Sequence, residues 1–246
     1  MAVAVIVWSL GVVVSTIGRS IFHNTTGRAN LSRVTQIPDL RTPSPPARRR
    51  RSDGERSRAA ILREAARMAT VEGLDGLSLA RLADAVGMSK SGLFAHFGSK
   101  EELQLATIDA ASAMFDELVI EPAGKEAAGL PRLRAYVALF LQHVEEAIFP
   151  GGCFFVSAMS ELDAQPGPAR DGALAFSQRW LTLLARQVMD AQEAGELDPT
   201  ADPSQIAFEL NAYMVLGNMQ FVATSDPAAL DRVRRAVDSR VATLTI

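Results

Sequence analysis

The residues whose types and spacing could do chemistry lie between Ser78 and Glu102, in the run SLARLADAVGMSKSGLFAHFGSKEE. Helical spacing puts Lys90, Ser91, Gly92 and Ala95 on the outer face of a short segment that starts after Ser89. The chemistry they suit is recognition of a polyanion. Small and hydroxylated side chains let a backbone approach closely, and Lys90 can reach a phosphate or a guanine edge. Further on, Ser99-Lys100-Glu101-Glu102 has the pattern of a capping box, with Ser99 at the cap and Glu102 at the third position. Lys100 then lies beside a helix N-terminus that already favours anions, which suits a phosphate clamp.

Two short helices must hold these residues in place. Ser78 can cap the first, over 79–86, and Ser89 the second, from about Lys90. Gly87 falls where a tight turn needs a positive φ. Ala83 is small where two steeply crossed helices approach, and Leu82, Val86, Met88 and Leu93 can fill the angle between them. Such a pair, joined by a turn of three or four residues, is expected to lay its second helix in a major groove. Upstream, Ile61, Leu62, Ala65, Met68 and Ala69 form one stripe over 59–72, and Gly73 ends that helix.

At unbroken spacing, residues 56–103 resemble the DNA-binding domain of tetracycline-repressor (TetR/AcrR) family regulators. The resemblance is carried by Ala83, Gly87, Gly92-Leu93-Phe94-Ala95-His96-Phe97 and Lys100-Glu101-Glu102-Leu103. It implies DNA contacts from Arg56, Ser78, Lys90, Ser91, Gly92, Phe94, His96 and Lys100. The family commonly has Tyr where this chain has Phe94, whose ring cannot hydrogen-bond a phosphate, so clamping should fall more on Lys100, Ser78 and His96. His96 reads equally as a helix-packing residue. The basic run 48–51, with Arg56 and Arg58, reads as an arm on phosphates or the minor groove, or as a solvated linker.

Charge is distributed as such a reader would need. The chain of 246 residues carries a formal charge of −3. Residues 41–104 hold twelve Lys/Arg against eight Asp/Glu, whereas residues 105–246 hold ten against nineteen. A basic segment thus joins an acidic one. The apolar run 2–17 is short for a membrane span and has no basic region before it. It reads as an extension or mis-chosen start, or else as a membrane anchor. Residues 24–47, with Pro38, Pro43, Pro45 and Pro46, read as a linker.

Beyond residue 103 the pattern is helical throughout, over about 104–121, 131–148, 152–163, 168–194, 203–224 and 227–244. Pro131, Pro168, Pro203 and Pro227 fall at helix starts. The fold expected is all-α: an extension over 1–47, a helix-turn-helix domain over 48–103, and a helical domain over 104–246. The resemblance implies that this last domain holds an effector pocket and the dimer interface. Phe115, Tyr136, Phe140, Phe154, Phe155, Met159 and Trp180 are candidates for an apolar pocket, or for ordinary core. The stretch 203–224 is apolar on two faces, with Phe208, Ala212, Val215, Met219 and Val222 near the second. Leu210, Tyr213, Gly217, Leu230, Val233, Val237 and Val241 are candidates for the dimer interface, or for intrachain core.

No catalytic constellation is present: Glu145 and Glu146 lack a metal-spaced histidine partner, and neither a nucleophile elbow nor a phosphate loop occurs. Cys153, the one cysteine, permits no intrachain disulfide and reads as a buried thiol. The reading is a cytoplasmic, homodimeric regulator without cofactor, a repressor released from operator DNA by an apolar or amphipathic ligand. Its alternatives are a regulator tethered to the membrane through 2–17 and a helical sensor without DNA affinity.

Overall fold

Three serines open three helices by one device. The hydroxyl of Ser78 accepts the N–H of Arg81 at 3.1 Å, Ser89 accepts that of Gly92 at 3.1 Å, and Ser99 that of Glu102 at 3.0 Å. In the computed structural model, which describes residues 47–245 with side chains from residue 54, these caps begin α2 (Leu79–Ala85), α3 (Lys90–Phe94) and α4 (Lys100–Phe115). The apolar run 2–17 and all but the last residue of the expected linker lie outside the described residues. Before them runs α1 (Ala47–Glu72), which takes the basic run 48–51 into its first turns instead of leaving it as an arm or linker. Gly73, at φ +80°, ends it.

Beyond Phe115 the helix continues through a π turn (Asp116–Ile120) into α5 (Glu121–Ala123). Pro122 explains the widened turn: it has no N–H to return to Leu118, and its ring crowds that carbonyl. There follow α6 (Leu130–Glu145), α7 (Phe154–Leu162), α8 (Pro168–Glu193), α9 (Pro203–Thr224) and α10 (Ala228–Ala242). Proline occupies the first turn of α6, α8 and α9 and caps α10, as its missing N–H allows. Among the described residues the one strand-type pairing is an isolated bridge between Leu197 and Thr245. None of the described helices is long and apolar enough to cross a membrane.

The core forms around α8. Ala173, Phe176, Trp180, Leu184, Val188 and Ala191 are buried at helical spacing, and α8 packs against α4, α6, α7 and α9. α10 closes on α9. At the other end α1 packs on both α4 and α7, so the short pair α2–α3 is fixed to the larger bundle through α1 and the first turns of α4. The expected boundary between residues 103 and 104 falls inside α4, where Leu103, Gln104 and Thr107 are all buried.

Candidate nucleic-acid interface and effector cavity

At the turn between α2 and α3, Gly87 has φ +66° and Met88 donates its N–H to the Ala83 carbonyl at 2.9 Å. Leu82, Ala83, Leu93 and Phe97 have no exposed surface and hold the two helices together. That leaves Lys90, Ser91, Phe94 and Ala95 exposed on one side of α3. Lys90 pairs with no carboxylate among the described residues. Gly92 is half-buried, and a Cβ there would meet the Ser89 hydroxyl at 3.1 Å. The Phe94 ring, 53% exposed, stands uncovered on the same side. Arg56 is exposed on α1.

His96 is half-buried with its ring 6.3 Å from that of Phe97, which itself lies under the Arg58 guanidinium at 4.7 Å. Ser78 accepts an N–H of its own helix, and its O–H can still donate. The capping box at Ser99 closes one residue early: Glu102 accepts the N–H of Gly98, at 2.9 Å, where Ser99 was expected to donate.

Lys100 has a partner that sequence spacing does not reveal. Its ammonium donates to the Asp75 carbonyl at 2.6 Å and lies 3.7 Å from the Asp75 carboxylate. It is therefore a tie to the loop between α1 and α2, although half of its side chain faces solvent. Gln104, buried, donates to the Leu74 carbonyl and the Asp75 carboxylate at 3.1 and 2.9 Å. From the other side Glu161 of α7 accepts the N–H groups of Leu74 and Asp75, at 2.6 and 2.8 Å. A second junction lies nearby, where the N–H of Gly151 donates to the Thr70 hydroxyl at 3.1 Å. A Cβ at Gly151 would fall 1.9 Å from the Thr70 carbonyl oxygen, so only glycine allows this approach.

The side of α7 away from this loop faces a cavity of about 370 Å³. Phe115, Phe140, Phe155, Met159 and Trp180 line it, as do Cys153, Val156, Ser160, Asp163, Phe176, Ser177, Asn211 and Val215. Two of the expected pocket residues do not. Phe154 turns into the core against Phe149, and Tyr136 stands behind Trp180, its ring 5.5 Å away. Both were legible as buried aromatics, but adjacent helical residues cannot share a face, so Phe155 takes the cavity and Phe154 the core. Phe176, Ser177 and Asn211 went unread because their helices are apolar on more than one side.

Phe115 organises the rings, meeting Phe176 and Trp180 edge-on at 5.1 and 5.2 Å. The Trp180 N–H donates to Asn211 at 3.1 Å. Burial pushes the Cys153 thiol above its ordinary range, against the pull of the Val156 and Phe155 N–H groups, which keeps it protonated. The Cys153 N–H donates to the buried Asn218 of α9 at 2.8 Å, joining α9 to the start of α7. Behind Phe115 lies His143, 4% exposed, with neither ring nitrogen hydrogen-bonded among the described residues. Desolvation lowers its pKa to about 4, with Glu146 opposing.

Most residues of the expected dimer face are already covered within the chain. Leu210, Gly217, Leu230, Val233, Val237 and Val241 are buried within the single chain, and Tyr213 is half-buried beside the groove between α9 and α10. Gly217 marks the contact: a Cβ there would lie 2.2 Å from Val233 Cγ2. The opposite side of α9 is the open one, with Phe208, Leu216, Met219 and Val222 exposed by 61, 56, 52 and 40%. Both faces are apolar in sequence, and only the small Gly217 distinguishes the one that α10 covers.

The geometry is matched by known proteins. Residues 61–107 match the family described as "Bacterial regulatory proteins, tetR family", and residues 129–237 match "Tetracyclin repressor-like, C-terminal domain". The chain is 24% identical over 172 residues to the transcriptional regulator AcuR of Cereibacter sphaeroides, covering 67% of this chain and 78% of that one. It is 29% identical over 176 residues to the HTH-type transcriptional regulator TcmR of Streptomyces glaucescens, covering 70% and 76%. Among solved structures, a TetR transcriptional regulator from Chloroflexus aurantiacus superposes with a TM-score of 0.73 at 22% identity, covering 79% and 98% of the two chains. AibR, in a complex with isovaleryl coenzyme A and operator DNA, does so with a TM-score of 0.60 at 23% identity, covering 77% and 98%. At these identities the structures share the fold with this chain.

Proposed function

Because the chain belongs to the tetR family of bacterial regulatory proteins, which are DNA-binding transcriptional regulators and not enzymes, we propose that it represses from an operator that a small ligand in the α7–α8 cavity makes it release. The reader is α3, with Lys90, Ser91, Gly92 and Phe94 toward the groove and Arg56, Ser78, His96 and Lys100 toward the backbone. The protein acts as a homodimer, in which two copies of α3 enter successive major grooves. Each copy meets the other through the open side of α9. Such a regulator works where its operator is, which puts it in the cytoplasm.

The observation that carries this reading is α7. Phe155, Val156, Met159 and Ser160 line the cavity, and Glu161, the next residue, holds the loop at the head of the reader through two backbone N–H groups. A ligand that favours one setting of α7 thereby favours one setting of α1 and α2. If that setting spaces the two copies of α3 away from successive grooves, the ligand releases DNA by population shift. No wire of many residues is needed.

The test is selection of genomic fragments on the purified protein, followed by gel shift. The retained fragments should share an inverted repeat whose half-sites lie about one helical turn apart. Fragments without a common sequence would overturn the reading of a specific operator.

A further inference from the structure

The cavity has a chemical bias that membership of the family does not specify. Five aromatic rings line it: Phe115, Phe140, Phe155, Phe176 and Trp180. No Lys, Arg or His is among the lining residues, and the one charged side chain there is Asp163, at the end of α7. Its carboxylate takes no hydrogen bond or ion pair among the described residues. Two guanidinium groups of α8, on the helix that lines the cavity with Phe176, Ser177 and Trp180, are already matched. Arg179 is held by both carboxylate oxygens of Asp116, at 3.0 and 2.7 Å, and by Ser112. Arg170 donates to the backbone carbonyl of Asp163 at 3.1 Å and lies 3.6 Å from the Asp171 carboxylate.

An organic anion entering this space would find no positive side chain in the lining and would meet Asp163. A cation would find the reverse. The faces of aromatic rings carry negative potential and hold cations within about 6 Å. Phe176 already does so, with the Arg179 guanidinium 5.3 Å from its centroid. Asp163 supplies the opposite charge. The neutral acceptors and donors of the wall, Ser160, Ser177 and Asn211, satisfy a polar group without adding charge.

From the five rings, the unpaired Asp163 carboxylate and the absence of any basic side chain in the lining, we propose that the effector is an aromatic organic cation, its ring among Phe115, Phe155, Phe176 and Trp180 and its charge toward Asp163. This rests on the reading of the cavity as the effector site. The volume of 370 Å³ admits two or three fused rings.

Trp180 makes the site its own reporter, since the only other tryptophan is Trp8 and a Trp8→Phe chain emits from Trp180 alone. Three probes of nearly one shape separate charge from fit: 1-methylquinolinium, neutral 1-methylnaphthalene and anionic 1-naphthoate. Titrated into full-length Trp8→Phe protein, the cation should quench Trp180 with an affinity at least ten-fold above that of the anion. Asp163→Asn should weaken the cation about five-fold, as expected for an exposed charge pair, and leave 1-methylnaphthalene within two-fold. If the neutral or anionic probe binds as tightly as the cation, or Asp163→Asn changes nothing, the charge assignment is wrong while the effector site stands. If none of the three alters Trp180 emission or binds by calorimetry, the cavity itself is not the effector site and the proposal falls with it.

Discussion

Lys90 and Lys100 are ten residues apart and read alike in the sequence, yet their surroundings separate them. Lys90, on the exposed side of α3, meets no carboxylate among the described residues, whereas Lys100 is tied to Asp75. Replacing Lys90 by alanine should weaken binding to every duplex alike and reduce the slope of log K against log salt by about one. Lys100→Ala should change that slope by less, because Asp75 already screens its charge, and should also lower the thermal midpoint by loosening the α1–α2 loop. Equal slopes for both variants, measured by anisotropy between low and moderate salt, would refute the distinction. His143 titrates where no DNA is involved. Its pKa is about 4 in the fold against 6.5 ordinarily, so the unfolded chain takes up a proton that the folded one refuses. Stability is unaffected above pH 6.5 and falls as pH drops from 6.5 toward 4, by at most about 3 kcal/mol. Nearby carboxylates complicate the raw curve, Glu145 on Arg234 and Glu146 on Gln142, but they are common to wild type and His143→Leu. Denaturant melts of the two proteins should therefore diverge only below pH 6.5; parallel curves down to pH 4 would remove His143 from the account. At this scale the caps at Ser78, Ser89 and Ser99 were legible, since a cap acts three residues away. The Lys100–Asp75 tie was not, because it joins residues 25 apart.

Elements were legible where period and punctuation agreed. The proline-opened helices and the Gly87 turn appear where the sequence put them, because proline and glycine act on their own backbone. The basic run 48–51 is the exception: nothing in it stops a helix, and α1 runs straight through it. What no period reveals is which element grips which. Glu161 lies 87 residues from Leu74, and its pair of bonds lets α7 touch both cavity and reader loop, as α4 does through Phe115 and Gln104. Glu161→Gln keeps one acceptor oxygen and replaces the other by a donor, so one of the two N–H groups loses its partner. The variant should bind 1-methylquinolinium as wild type does and still bind operator. The factor by which the cation changes operator affinity, on the order of 5- to 150-fold for coupled sites, should shrink toward one. A purely structural role would lower stability and leave that factor intact, so an unchanged factor in a destabilised protein would count against the link. Glu161→Ala, which removes both acceptors, should shrink the factor further than Glu161→Gln does.

For the whole molecule, the question is which side of α9 meets the second copy. The sequence offered two apolar sides and no means of choosing, because composition reports that a face must be covered without reporting by what. The side through Leu210 and Gly217 is filled by the chain's own core, and Gly217 admits Val233 so closely that no partner could enter between them. The side through Phe208, Ala212, Leu216, Met219 and Val222 repeats every three or four residues for most of the length of the helix. Such a row of large apolar side chains on a DNA-binding regulator is a surface awaiting a partner, and we propose that two copies of it pack as antiparallel neighbours do in a helical bundle. The two sides predict opposite outcomes for the same chemical change. Phe208→Glu with Met219→Glu places charge on an exposed row, so the chain should stay folded, with unchanged helical content, and become monomeric. Operator affinity should then fall steeply, since one α3 reads one half-site alone. Leu210→Glu instead buries a charge in the protomer core, and that protein should lose its cooperative melt before its oligomeric state can be asked about. Light scattering and circular dichroism on both variants decide the matter. A Phe208→Glu, Met219→Glu protein that remains a dimer would move the interface off α9.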